Sequence, residues 1–503
     1  TDCQSMVGGR HPDMAADKRQ ILVCINCRSR KKKCDKGLPS CGYCIQKRLK
    51  CAYSRDTPRQ DEPFSLPERN EGVVPQQISL SSILDTVLSG PGNLEKTVYA
   101  EVNRLIRSTG QFVDDITARY FKDVHIFLPV IARSRFHNGL ITLGAPPSAD
   151  LSILLLCMCL VTPDPESRNS PSFSKTSQHT IYLSAKSIFA QLQAIISPSV
   201  SFIQAGLLLA VYEYVHGQSD RGLATLSNSA RMAYAARIHT LNVNLRHEER
   251  TSHSLQPEER EALNTWWALI IWERTMMLEV TTQDQPLVTS VRPENAALPT
   301  EPDSVDHGDP MFSNTPMPKL LVSTPHEVNV GGFGRLAQAI MLVDQILKAF
   351  SLCDVAARLS ALHNINTSLQ SFLGMVVKQH SGKPSSYCSA VVIAIRSLLS
   401  LHGHIIQLTS AANSGGGSHA GNADSFAAIR TGIAMTLDIA EWHESRPPHM
   451  GLLLPPNYVY LLRATLSHIE HYSFLEDEKK AQESRKCLGR SLAQFGSLWG
   501  TSE

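Results

Sequence analysis

The 503-residue sequence has few strand signals. It has no uninterrupted run of the 18 or more apolar residues that a membrane span needs; the longest, near Leu151–Val161, is too short. No membrane partner is expected. No glycine-rich loop fits a phosphate cradle. The near pairs His402-x-His404 and His468-x2-His471 lack the i, i+4 spacing and the glutamate of a zinc hydrolase helix. Cys157-x-Cys159 lies in an apolar helical run, where thiols behave as small hydrophobes. Trp266, Trp267 and Trp272 read as core, and Glu273-Arg274 as a local pair with no partner for general-base work. These absences leave no legible active site, and an enzyme is not expected.

What is present is concentrated near the start. Six of the twelve cysteines run Cys24-x2-Cys27-x6-Cys34-x6-Cys41-x2-Cys44-x6-Cys51. The two halves share one spacing. Disulfides would suit a small secreted domain. Here the first residues carry no apolar signal-like run and the other cysteines are scattered, so a reduced, intracellular setting is expected. The chain begins at Thr1, and further residues are expected upstream. Thiolate-only clusters select zinc or iron–sulfur. Two separate tetrahedral zinc sites would need eight thiolates. Six suffice if two thiolates bridge, and pseudo-symmetry points to the first cysteine of each half, Cys24 and Cys41.

Charge is split along the chain. Residues 18–55 hold twelve Lys/Arg against the single acid Asp35, a net +11. The remainder holds 36 basic and 45 acidic residues, a net −9. So much uncompensated charge on a small module calls for a polyanionic partner, and DNA binding that weakens steeply with salt is expected. Arg28 to Lys33 read as one or two helical turns after the first C-x2-C. Lys18, Arg19 and this run also suit a nuclear import signal.

Past the module, residues 1–17 read as a flexible N-terminus and 56–77, with four prolines, as a linker. No sustained apolar heptads follow. Leu80, Ile83, Leu84, Val87 and Leu88 form one stripe, broken at Gly90-Pro91-Gly92, and read as a core helix rather than a zipper. From 78 to 503 the pattern is helical, with periodic segments at 94–107, 113–127, 150–161, 178–196, 201–215, 222–241, 258–280, 333–350, 354–378, 385–410, 425–441, 456–475 and 479–499. Breaks fall at 162–177, 242–257, 294–332 and 411–424. Leu488, Leu492, Phe495 and Trp499 line one helical face, which suits closing the core or, alternatively, docking into a coactivator groove.

The segment CINCRSRKKKCDKGLPSCGYCIQKRLKCAYS at 24–54 resembles the zinc binuclear cluster of fungal transcription factors. The basic run, Pro39 and Tyr53 agree with that pattern. YFKDVHIFLPVIARSRFHN at 120–138, VYEYVHGQSDRGLATLSNSARMAYAARIHTL at 211–241 and EREALNTWWALIIWERTMMLE at 259–279 resemble the middle homology region of the same regulators. The usual arginine pair before the tryptophans is replaced by Leu263, Asn264 and Thr265.

The resemblance implies a mainly α protein: a two-zinc, six-cysteine module at 18–55, a linker, and a large all-α regulatory domain at 78–503. It implies two zinc ions held by Cys24, Cys27, Cys34, Cys41, Cys44 and Cys51, with the first and fourth bridging. It implies that a short helix enters the major groove of double-stranded DNA and reads a CGG-type triplet. By alignment Arg30 and Lys31 face the bases, as both residue types donate to guanine. Arg28, Lys33, Lys47, Arg48 and Lys50 are expected as phosphate contacts, with plain solubility as the alternative. A nuclear regulator of RNA polymerase II genes controlling a metabolic gene set is expected. Its further partners would be a second copy of the chain and a coactivator. Two rivals remain: an enzyme or metabolite-sensing helical domain tethered by the zinc module, and an RNA- or protein-binding module. The second is disfavoured because 24–51 offers only Tyr43 for stacking.

Overall fold

The computed structural model describes Cys27, residues 32–37 and 40–47 near the start. Further on it describes 91–141, 145–162, 175–240, 256–282, 285–290, 297–299, 330–380, 384–412, 422–445, 454–472 and 477–501. The stripe at 80–88 and the linker lie outside these. The chain divides into two compact units, Thr1–Pro75 and Gln76–Glu503.

The first unit contains one short described helix, α1 (Gly42–Gln46). The second is helical, and among its described residues Ala297 makes only an isolated bridge. Its helices are α2 (Pro91–Ser108), α3 (Val113–Arg119), α4 (Arg133–Leu140), α5 (Ala149–Val161), α6 (Lys175–Ile195), α7 (Val200–Val215), α8 (Ser219–Ala235), α9 (Pro257–Met277), α10 (Gly332–Phe350), α11 (Val355–His380), α12 (Pro384–Ala412), α13 (Ala423–Glu444), α14 (Tyr458–His471) and α15 (Glu478–Trp499).

Local chemistry sets several helix ends. The Ser199 hydroxyl accepts from the Phe202 N–H at 3.1 Å and caps α7. Gln256 and Glu259 form a capping box with Pro257 in the first turn of α9. The Gly90-Pro91-Gly92 break turns out to be a beginning, since α2 starts at Pro91. Proline is tolerated in a first turn because its missing N–H would have no helical partner.

The periodic segment at 113–127 is not one helix. After α3 a π-helical turn covers Tyr120–Val124, and the His125 N–H donates to the Tyr120 carbonyl at 2.9 Å. This wider turn lets Tyr120, Phe121 and Val124 all enter the core. Segment 222–241 likewise ends early, at Ala235, where Arg237 takes a left-handed φ of 59° ahead of a 3-10 turn.

Helices α5 and α7 are apolar on every side and buried almost throughout, so they form the centre of the unit. Around them pack α2, α8 and α9, and α9 leads across to α10. Helix α12 then serves as the axis for α10, α11, α13 and α14, and α15 closes on α13 and α14. One sequence expectation needs correction here. Cys388–Ser410 within α12 is long and apolar enough to cross a membrane by length and composition, with a mean hydropathy of 1.5. Scattered polar residues interrupt its apolar runs. In this fold 78% of its most apolar 18-residue window is buried, which is what an axial helix requires.

Candidate metal centre and nucleic-acid interface

Cys41 and Cys44 are positioned by α1: Cys41 is its N-cap residue and Cys44 follows within its first turn. The Ile45 N–H donates to the Cys41 carbonyl at 3.0 Å and fixes that turn. Cys27 joins them from the other half of the repeat. All three are fully buried, and their sulfurs lie within 4.8 Å of one another. The Cys27 and Cys41 sulfurs are 3.6 Å apart. A disulfide would hold them at about 2.0 Å. Two thiolates on one zinc, each about 2.3 Å from the metal in a tetrahedron, sit about 3.8 Å apart. The donor set and its spacing therefore fit zinc.

Cys34 and Asp35 form a second group with Cys41, again within 4.8 Å. Cys41 is thus common to both groups. Its counterpart Cys24, and Cys51, lie outside the described residues.

Asp35 has a role that sequence reasoning missed. Its carboxylate accepts the Gly42 N–H at 2.9 and 3.0 Å, tying the chain after Cys34 to the start of α1. A Cβ at Gly42 would come 2.6 Å from Asp35 Oδ2, so a larger residue there would displace the carboxylate. The available signal was charge: Asp35 is the sole acid in an otherwise basic module.

Of the cationic candidates, Lys33 and Lys47 are exposed, as are Lys32 and Lys36. Arg28, Arg30, Lys31, Arg48 and Lys50 lie outside the described residues. Lys32 and Lys33, at the end of the helix expected over Arg28 to Lys33, are not helical. The Lys32 N–H donates to the Cys27 carbonyl at 2.9 Å, a bond of the span that closes helix ends.

In the helical unit the other sequence candidates resolve as structure. Trp266, Trp267 and Trp272 are buried, and Trp267 Nε1 donates to the Ala297 carbonyl at 2.9 Å. Burial pushes the Cys159 thiol up to about 12 and raises Cys157 as well, so neither is a reactive thiolate. Glu273 and Arg274 do form a pair, at 2.7 Å, but a buried one that also straps the chain. Glu273 accepts the N–H groups of Val288 and Thr289, while Arg274 donates to the Thr289 carbonyl and reaches Asp344 on α10 at 3.3 Å.

His402 is held between Ser425 and Asn366 at 3.0 and 3.1 Å. His404, His468 and His471 line one cavity of about 370 Å³ together with Arg396. Among the described residues, however, only the cysteine-centred groups bring three metal-ligating atoms within 4.8 Å. Leu488, Leu492, Phe495 and Trp499 are all buried, and Trp499 Nε1 donates to the Leu454 carbonyl at 2.9 Å. That face closes the core, so it is not free to dock elsewhere.

Comparison with known proteins agrees with this geometry. The fungal Zn(2)-Cys(6) binuclear cluster domain matches residues 22–60, and the fungal specific transcription factor domain matches residues 117–307. Transcription factor BOA15 of Botryotinia fuckeliana is 33% identical over 129 residues, which is 25% of this chain and 68% of that protein. Oleate activated transcription factor 3 of Kluyveromyces lactis is 56% identical over 39 residues, 8% of this chain and 6% of that protein. No solved structure matches. The chain belongs to the fungal Zn(2)-Cys(6) transcription factors. It is a zinc-binding, DNA-binding transcription regulator and not an enzyme.

Proposed function

We propose that the chain is a nuclear, sequence-specific regulator of RNA polymerase II genes that holds two zinc ions in six cysteines. Its module at 18–55 reads a CGG-type triplet, with Arg30 and Lys31 on the bases and Arg28, Lys33, Lys47, Arg48 and Lys50 on the phosphates. The observation that carries the two-zinc reading is the membership of Cys41 in both ligand groups. Cys24 is its symmetry partner, and Cys27, Cys34, Cys44 and Cys51 complete the two tetrahedra. Residues 56–77 join the module to 78–503, which regulates it. A metabolic gene set, a second copy of the chain bound to a paired half-site and a coactivator complete the reading. The buried face of α15 removes one route to that coactivator.

Two measurements on the full chain test it. Native mass spectrometry should find two zinc ions, both lost in Cys41→Ser and one retained in Cys44→Ser. One zinc in the unsubstituted chain sinks the bridged cluster. Selection from random duplex DNA should enrich CGG, and enrichment of an unrelated sequence rejects the triplet assignment.

A further inference from the structure

A cavity of about 410 Å³ opens between α4, α5, α7 and α9, walled in part by Arg135, Asn138, Asp150, Ser201, Gln204 and Glu261. It lies within the stretch matched by the fungal specific transcription factor domain. Its size falls in the range of small-molecule sites, about 300–1,000 Å³.

Two buried acceptors of its wall have no hydrogen-bond donor. Gln204 is fully buried. Its amide nitrogen donates to the Val130 carbonyl, to Glu261 Oε1 at 3.0 Å and to Thr265 at 3.1 Å. Those partners fix which end of the amide is oxygen. The oxygen, Oε1, is buried and accepts no hydrogen bond. Beside it, Glu261 Oε2 lies 3.0 Å from the Arg135 guanidinium, but the pair is misaligned and Oε2 accepts no hydrogen bond either. Asp150, on the same wall, accepts from Ser199 and from the Leu151 N–H.

Buried acceptors without donors are costly, and their number in native structures is small. A water would supply donors without charge. Two carboxylates, Asp150 and Glu261, share the wall with one cation, Arg135, so a donor that carries positive charge suits the wall better than a water. The Glu261 carboxyl is held above its ordinary range, chiefly by burial, against the pull of Arg135, Gln204 and the Ala132 N–H.

We propose that this cavity binds a small primary ammonium compound, either a simple amine or a free amino acid. The ammonium group would donate to Gln204 Oε1, Glu261 Oε2 and Asp150. Arg135, about two-fifths exposed at the mouth, would be left for the carboxylate of an amino acid. The site does not depend on how the zinc module reads DNA, and binding can be measured without DNA.

Isothermal titration of the full chain with ethylammonium and with glycine tests the site, with ethanol and acetate as controls. Saturable one-to-one binding is expected for at least one ammonium probe and for neither control. Tighter binding of glycine, levelled by Arg135→Gln, assigns an amino acid; tighter binding of ethylammonium assigns an amine. Asp150→Asn and Gln204→Met should each weaken binding by about tenfold or more, the loss of one hydrogen bond to a charged group. Gln204 also straps α7 to α9, so Ser201→Leu, which fills the cavity from a half-buried position, provides a variant outside that strap. The proposal fails if neither probe binds, if ethanol or acetate binds as well as they do, or if Asp150→Asn and Ser201→Leu bind unchanged.

Discussion

The two units of this chain are stabilised by opposite means. In the first, the buried cluster among described residues is Cys27, Cys41 and Cys44, with Cys34 and Tyr43 packed against it. That is too little apolar surface to oppose the chain entropy of folding, and metal–thiolate bonds must do it instead. In the second, side chains as large as Trp267, Tyr214 and Phe495 are fully buried in one continuous core. Each such burial is worth about 1.5–3 kcal/mol. Removing zinc should therefore erase one unit and spare the other.

Chelation of the full chain is the largest test of that contrast. Structural zinc contributes roughly 10–16 kcal/mol to folding in zinc-dependent peptides near neutral pH. A strong chelator should abolish DNA binding and expose 18–55 to protease, with the melting temperature of the helical unit unchanged. If the helical unit melts earlier as well, the two are not energetically separate.

The helical unit should respond to changes that leave zinc alone. Arg274 sits buried between Glu273 and Asp344, so Arg274→Met strands the Glu273 carboxylate and leaves Asp344 with Lys348 alone. It should cost about 3–5 kcal/mol. Phe495→Ala opens a cavity under α15 and should cost a similar amount, about 3–5 kcal/mol. Thermal melts should record both while zinc content stays at the unsubstituted level. A melt unchanged by Phe495→Ala would return α15 to the role of a detachable docking helix.

Within the module, smaller effects should separate base from phosphate contacts. Lys31→Ala should lose roughly 1–3 kcal/mol on a CGG-containing duplex and little on random DNA. Lys47→Ala should weaken both equally and flatten the salt dependence. Identical behaviour of the two variants would remove Lys31 from the bases.

The smallest expected effect is a pH slope in the helical unit. Burial, aided by His363, holds His402 down at about 4 against an ordinary 6.5. The folded state keeps the ring neutral while the unfolded chain takes up a proton first. This contribution is fully present above about pH 6.5 and is lost as pH falls toward 4. Stability of the unsubstituted chain should drop more steeply across that window than that of His402→Gln. Parallel curves would show that His402 is not the titrating group.

Much of the helical unit was legible because burial of one helix face leaves a 3.6-residue period in the sequence. The segments at 150–161, 201–215 and 333–350 fall almost directly on α5, α7 and α10. Errors came where periodicity and backbone diverge. A π turn at Tyr120–Val124 keeps apolar residues facing inward while ending the α-helix, and a proline at the start of α2 reads like a break. The segment at 385–410 likewise falls on α12, an axial helix that tolerates polar residues such as His402, held by Ser425 and Asn366.

The sequence by itself determined the metal chemistry. Six cysteines in two equal spacings specify thiolate ligands over a short stretch of chain, and a local charge excess needs no tertiary information to be read. Only the tertiary structure decided which distant residues meet. It placed Asp35 against Gly42 across the module, Arg274 between Glu273 and Asp344, and Gln204 beside Glu261 from helices 57 residues apart. Those meetings depend on helix packing, where hydrophobic burial is nondirectional and leaves no fixed spacing in sequence between the polar groups it brings together.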